Sequence, residues 1–170
     1  MRLFFIFGYP GSGKTYVSTI LKNEFGFYHH DGDHDIPQNM KQALQNEAPI
    51  TDTMRDTFFQ ALLLSTKTLV QTHTNLVVSQ TFLKDSYRKQ FLNTFPHAQF
   101  LYVQTNEQIR NMRLKNRTNY PLSPIYAQKM VSNFEQPSIP YKTIENNEAG
   151  DTKLIEQLTH VVSNTSQMSK

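Results

Sequence analysis

The sequence predicts an α/β fold of three layers, with helices on both faces of a five-stranded, mostly parallel sheet. Three observations predict it. Strand-like and helix-like segments alternate along the chain, a continuous apolar run opens it, and a glycine-rich loop joins that run to the first helical segment. Neither an internal repeat nor a Gly/Ser linker divides the 170 residues. One domain over residues 1–170 is therefore expected, long enough to bury a core.

Each element has its own signal. RLFFIF (2–7) is apolar throughout, as a strand buried on both faces is. KTYVSTILKNEF (14–25) reads as a helix closed by Gly26. FGFYHH (25–30) is a second strand, and PQNMKQALQNE (37–47) is a helix with proline at its first position. Over 51–73, Met54, Phe58 and Leu62 recur every four residues, the pattern of a long amphipathic helix. NLVVSQ (75–80) is a third strand, and KDSYRKQFLNTF (84–95) is a helix ending before Pro96. AQFLYVQ (98–104) is a fourth strand. Thr105, three residues before Gln108, has capping-box spacing and opens a helix through Arg117. LSPIYAQKMVSNFE (122–135) is helical, KTIEN (142–146) is a fifth strand, and Asp151 caps a last helix to about Ser163. The tail, 164–170, is expected to be loose.

Composition narrows the function classes. Hydrophobic content of 38%, with 8 Tyr and 12 Phe, argues against disorder. Cysteine is absent, which removes disulfides, thiolate metal sites and a cysteine nucleophile; a reducing, cytoplasmic setting fits. The apolar start, Leu3 to Phe7, is too short for a signal-peptide core or a membrane span, so no membrane partner is expected. A net charge of +3 favours an anionic ligand, yet falls short of the basic stripe of a nucleic-acid binder.

GYPGSGKT, Gly8 to Thr15, matches G-x-x-x-x-G-K-[ST] in full, between a strand and a helix as that motif requires. This is a P-loop. Gly8, Gly11 and Gly13 let the backbone turn and aim its N–H groups at phosphate oxygens. The helix beginning at Lys14 adds its positive end. The Lys14 ammonium is assigned to the β- and γ-phosphates, and the Thr15 hydroxyl to Mg²⁺. Ser12 and Tyr16 complete the expected nucleotide contacts. Because the chain lacks a guanine-reading N-K-x-D segment, ATP is the expected nucleotide.

HHDGDHD (29–35) packs three histidines among three aspartates. It reads as a metal site, a catalytic carboxylate pair or a polar turn. Ligand crevices of parallel sheets lie outside the carboxyl ends of the strands, which sets this stretch beside the P-loop. NLVVSQ lacks the terminal aspartate with which many P-loop proteins hold Mg²⁺. Asp31 is the nearest substitute, and Asp33, two residues on, can meet the hydroxyl that accepts the phosphoryl group. A zinc site from His29, His30 and His34 is disfavoured, since adjacent strand residues point to opposite faces.

A P-loop followed by D-G-D at the end of the second strand resembles the gluconate kinase and shikimate kinase group of small P-loop kinases, whose core is like that of nucleoside-monophosphate kinases. PITDTMR (49–55), SYRKQF (86–91), RLKNR (113–117) and SNFEQP (132–137) resemble stretches of gluconate kinases in particular, in the expected order. The resemblance implies that Asp31 supports Mg²⁺ and that Asp33 meets the acceptor hydroxyl. It implies a helical lid over about 113–124 carrying Arg113 and Arg117, with a stacking contact to adenine from one of them. It implies an acceptor carboxylate held by Arg55, and an adenine-contacting loop at Asn146. Lys84 and Arg88 add positive charge near the acceptor. Arg110, Arg113 and Arg117 share one helix face, where a closing lid needs cations for transition-state charge; Arg110 itself reads as a surface residue. A homodimer is left open.

The match departs on the acceptor side. Ile36 precedes Pro37 where gluconate kinases carry H-P; Asn119-Tyr120 follows the lid arginines in place of a histidine and an aromatic residue. Met54-Arg55-Asp56-Thr57-Phe58 replaces D-R-x-P-W, and Ala43-Leu44 and Glu47 replace a Lys-Met pair and then Gly. Nor does Ser79-Gln80-Thr81 carry the Gly-Gly-Gly run of shikimate kinases. The expected activity is ATP-dependent, Mg²⁺-supported phosphorylation of a small hydroxylated acceptor, gluconate or a related sugar acid. The alternatives are a nucleotide or nucleic-acid-end kinase and a non-catalytic ATP-binding protein.

Overall fold

The computed structural model describes residues 1–116 and 124–165. Five strands, β1 (Arg2–Phe7), β2 (Tyr28–Asp31), β3 (Asn75–Ser79), β4 (Gln99–Gln104) and β5 (Lys142–Glu145), form one sheet in the order β2-β3-β1-β4-β5. Every pairing is parallel. The helices are α1 (Lys14–Phe25), α2 (Gln38–Gln45), α3 (Asp52–Leu69), α4 (Asp85–Thr94), α5 (Glu107–Lys115), α6 (Pro124–Ser132) and α7 (Thr152–Thr165), with a 3-10 turn at Gly32–Asp35. The predicted α/β architecture is the observed one.

Strand β1 shows why its sequence has no polar alternation. Leu3, Phe5 and Phe7 enter one core with Phe59 of α3, Phe91 of α4 and Phe100 of β4. Phe4 and Ile6 enter the other, against Val17 and Leu21 of α1 and Leu158 of α7. Successive residues of a strand face opposite ways, so a central strand with helices on both faces must be apolar at every position. Each such side chain removed from water contributes about 1.5–3 kcal/mol.

Local chemistry sets the helix ends. Gly26 closes α1 in the left-handed conformation, its N–H donating to the Leu21 carbonyl. Thr51 caps α3 through its hydroxyl, which accepts from the Met54 N–H at 3.2 Å. α3 ends at Leu69, short of the expected residue 73, and α7 runs to Thr165, past the expected Ser163. One expectation is overturned. Thr105 does not cap α5: Asn106 occupies the cap position, and the Thr105 hydroxyl donates instead to the Ser12 carbonyl at 2.9 Å. The tertiary bond turns the hydroxyl toward the P-loop, away from the helix end to which the capping-box spacing had assigned it.

Candidate active site

The sheet order places the ends of β1, β3 and β2 side by side, with Ile6, Ser79 and Asp31 in register. Directly beyond them lie the P-loop, Gln80 and the D-G-D turn. Two cavities open there. The first, of about 510 Å³, is lined by Gly11, Gly13, Lys14, Thr15, Asp31 and Asp33 among others. The second, of about 310 Å³, is walled mainly by apolar side chains such as Met40, Phe58, Phe59 and Phe82, with Arg55, Lys84 and Asp33 among its polar groups. Asp33, Ile36, Leu44 and Gln80 line both and form the neck between them.

The P-loop takes its shape from left-handed glycines and from a clasp behind it. Gly8, Gly11 and Gly13 have φ of 149°, 79° and 92°. A β-carbon on Gly13 would lie 2.2 Å from Asn146 Nδ2, so only glycine fits there. The Ser12 carbonyl accepts three side-chain bonds: from Asn146 Nδ2 at 2.8 Å, from the Thr105 hydroxyl at 2.9 Å and from Arg113 Nη1 at 3.3 Å. Lys14 Nζ donates back to the carbonyls of Gly8 and Tyr9 at 3.0 and 3.1 Å. The loop is thereby held before any phosphate enters. Gly11, Gly13, Lys14 and Thr15 line the first cavity, whereas Gly8, Ser12 and Tyr16 are not among its lining residues. The Ser12 side chain is buried within the loop, and the Tyr16 hydroxyl donates to Asp151.

HHDGDHD separates into two functions. β2 stops at Asp31, so the aspartates do not alternate along a continuing strand. Asp31 instead caps the 3-10 turn by accepting from the Asp33 N–H at 3.1 Å, and the turn delivers Asp33 to the neck. His29 and His30 serve the framework. His29 Nε2 pairs with the Ser79 hydroxyl at 2.9 Å, and burial pushes the His29 pKa below its ordinary value. His30 Nε2 pairs with Asp35 at 2.6 Å, and Asp35 also accepts from the Ser65 hydroxyl of α3 at 2.5 Å. Among the described residues, no group of three or more His, Cys, Asp or Glu side chains can hold a metal ion. Thr15 and Asp31, lining one cavity, supply the hard oxygen donors that suit Mg²⁺, a cation that otherwise keeps waters and phosphate oxygens as ligands.

The arginines distribute themselves differently from expectation. Arg113 reaches the P-loop clasp, its Nη2 donating to the Asn146 carbonyl at 3.2 Å, and burial lowers its pKa. The Asn146 carboxamide is 1% exposed and faces Ser12, so it braces the P-loop. Arg110, read as a surface residue, is buried, with its guanidinium 4.6 Å from the centre of the Tyr9 ring. Arg55 and Lys84 line the second cavity; Arg55 Nη2 donates to the Ile50 carbonyl at 3.3 Å and Lys84 Nζ to Asp52 at 2.7 Å. The bond from Lys84 holds the Asp52 carboxyl below its ordinary range. Arg117 and most of the expected lid lie outside the described residues.

Arg88 corrects the sequence reading. It is 0% exposed, not a cation facing the acceptor. Its Nε donates to Asp85 at 3.1 Å, its Nη1 to the Phe82 carbonyl at 3.1 Å and its Nη2 to the Glu135 carbonyl at 2.6 Å. Its Cζ lies over the Phe7 and Phe134 rings, 5.5 and 5.2 Å from their centres. A planar guanidinium meets all these partners at once, so the buried charge is paired and hydrogen-bonded. Arg88 thus fixes the segment 82–85, of which Phe82, Leu83 and Lys84 line the second cavity. Sequence reasoning also passed over Gln80; its signal was its place one residue past the end of β3, at the carboxyl edge of the sheet.

Comparison with known proteins agrees with the fold. The family profile described as AAA domain matches residues 5–131. The thermoresistant gluconokinase of Escherichia coli (strain K12) is 24% identical over 134 residues, covering 79% of this chain and 75% of that protein. The crystal structure of a sugar kinase from Janibacter sp. HTCC2649 superposes with a TM-score of 0.82 at 19% identity, covering 96% of this chain and 95% of that one. A gluconokinase from Sinorhizobium meliloti 1021 superposes with a TM-score of 0.77 at 22% identity, covering 99% and 98%.

Proposed function

The chain belongs to the AAA-domain family, and from that premise we propose that it is an ATP-dependent phosphotransferase acting on a hydroxyl of a small polar acceptor, with sugar acids such as gluconate the first class to test. The observation that carries this reading is the shared neck. A cavity lined by a P-loop lysine and threonine meets a second cavity at a carboxylate, Asp33. A protein that only sensed nucleotide would need neither the second cavity nor that carboxylate. The gluconokinase relatives support the sugar-acid class.

In this reading Lys14 and the P-loop backbone hold the β- and γ-phosphates, and Arg113, at the back of the loop, offsets their charge. Thr15 and Asp31 would hold Mg²⁺, which when bound neutralises charge on the phosphate oxygens. Asp33 accepts a hydrogen bond from the acceptor alcohol and turns its oxygen toward the γ-phosphorus. As the new P–O bond forms, the bond to the bridging oxygen breaks, ADP departs and the alcohol proton passes to Asp33. A loose phosphoryl transition state asks for orientation more than for a strong base, so a positioned carboxylate suffices. Arg55 and Lys84 meet the acceptor's anionic end.

The test is Mg²⁺-dependent ADP release measured with a panel of sugar acids, sugars and nucleosides. One acceptor is expected to stimulate turnover and to become phosphorylated. Turnover indifferent to every acceptor would overturn the reading in favour of an ATP sensor.

A further inference from the structure

We propose that Gln80 is a positioning residue, a carboxamide that holds Asp33 so that one carboxylate oxygen faces the acceptor alcohol at the neck between the two cavities. The inference rests on the kinase reading of the site. Gln80 Nε2 donates to Asp33 Oδ1 at 3.0 Å, and Gln80 Oε1 accepts from the Thr81 N–H at 2.6 Å. The second bond settles which way the carboxamide points. A backbone N–H can only donate, so the atom facing Thr81 must be oxygen and the atom facing Asp33 must be the amino group. A flipped carboxamide would set oxygen against oxygen and two donors against each other.

The clasp is rigid at both ends. Gln80 is 9% exposed, and its own N–H donates to the Ile6 carbonyl at 3.0 Å, two residues before the P-loop begins. The middle residue of D-G-D lies directly against it. A β-carbon on Gly32 would come within 3.1 Å of both Gln80 Nε2 and the Ser79 carbonyl, and 3.2 Å from Gln80 Cβ. The glycine between the two aspartates is thus the space that lets Gln80 reach Asp33. With Oδ1 engaged by Gln80, Oδ2 is the oxygen left to receive the alcohol. Side-chain rotation of an unclasped Asp33 would move that oxygen by more than 1 Å, a displacement able to cost about 100-fold in rate. The same carboxamide joins the strand that carries the P-loop to the turn that carries Asp33, so donor and acceptor ends of the reaction share one frame.

Two measurements decide the matter. The first needs no acceptor: the side-chain amide protons of Gln80 followed by NMR in the full-length protein. The proton facing Asp33 is expected to exchange slowly with water and to shift upfield in Asp33→Ala; a resonance that Asp33→Ala leaves in place overturns the clasp. The second is Gln80→Met, which keeps the volume and removes the hydrogen bond. With the best acceptor, transfer kcat is expected to fall about tenfold or more, with acceptor KM within about threefold. ADP released per acceptor phosphorylated should rise, because water then competes for a γ-phosphoryl whose alcohol is poorly aimed. A merely structural Gln80 would lower transfer and hydrolysis together, and Gln80→Met with unchanged kcat and coupling overturns the proposal. If the wild-type protein phosphorylates no acceptor while the amide proton still responds to Asp33→Ala, the kinase reading fails and the clasp stands without a catalytic role.

Discussion

Asp33 and Lys14 stand on opposite sides of the transfer in the proposed mechanism, so their variants should separate its steps. Lys14→Ala removes the cation at the phosphates and is expected to abolish nucleotide turnover with any acceptor. Asp33→Asn keeps the shape of the neck; ATP affinity should stay within about threefold while transfer falls 100-fold or more, the span typical of a positioned acid–base group. Equilibrium nucleotide binding beside steady-state transfer checks both, and a fully active Asp33→Asn would remove the role given to that carboxylate. Arg88 makes the opposite forecast. Because it is wholly buried among Asp85, two carbonyls and two aromatic rings, Arg88→Met should cost about 3–5 kcal/mol of stability in urea unfolding. A stable Arg88→Met with a raised acceptor KM would instead restore the acceptor role expected from sequence.

At the scale of elements, the end of α2 shows backbone strain beside the second cavity. Glu47 follows α2 with φ of 52°, a left-handed conformation that favours glycine. The Glu47 N–H donates to the Leu44 carbonyl at 3.2 Å and the Ala48 N–H to the Ala43 carbonyl at 2.8 Å, the paired bonds of a Schellman end. Gluconate kinases were expected to carry glycine in this region, and here the turn persists with a side chain that lines the cavity. Glu47→Gly should therefore stabilise the protein by about 0.5–1 kcal/mol, read as a raised urea midpoint at constant m-value. No change, or a loss, would mean that the carboxylate makes a compensating contact. Helix and strand identities in this chain were readable because they depend on local periodicity, as β1 and α3 show. Thr105 was misassigned because α5 starts one residue later, at the Asn106 cap, and the Thr105 hydroxyl faces a carbonyl 93 residues away.

At the scale of the molecule, the parallel order β2-β3-β1-β4-β5 brings P-loop, Gln80 and D-G-D to one edge, and a second polar network ties α4 to Ser138. Asp85 is its centre. It accepts from the Ser138 hydroxyl at 2.6 Å, the Ser138 N–H at 3.0 Å and Arg88 Nε at 3.1 Å, with Lys89 Nζ at 3.1 Å. Burial pushes its pKa up, but the bonds from Ser138 and Lys89 and the Arg88 charge outweigh it and hold the carboxyl well below the ordinary 3.8. A carboxyl depressed in the folded state lends stability that is complete above its unfolded pKa and is lost as pH falls through the folded one. Urea stability should therefore decline below about pH 4, and Asp85→Asn should flatten that decline while lowering stability at neutral pH. An acid limb identical in the two proteins would discard the network as its source. Among the described residues, no helix is long and apolar enough to cross a membrane.

The residues by themselves determined the alternation of elements, the central apolar strand and the eight-residue P-loop, since each is written in contiguous sequence and answers to local rules of period, turn and dipole. Tertiary structure alone decided what the isolated polar side chains do. Arg88 went into the core, Asn146 and Thr105 behind the P-loop, and Gln80 onto Asp33, because each found partners tens of residues distant. A buried polar group must be satisfied wherever the fold places a partner, and a linear pattern does not specify which one that is.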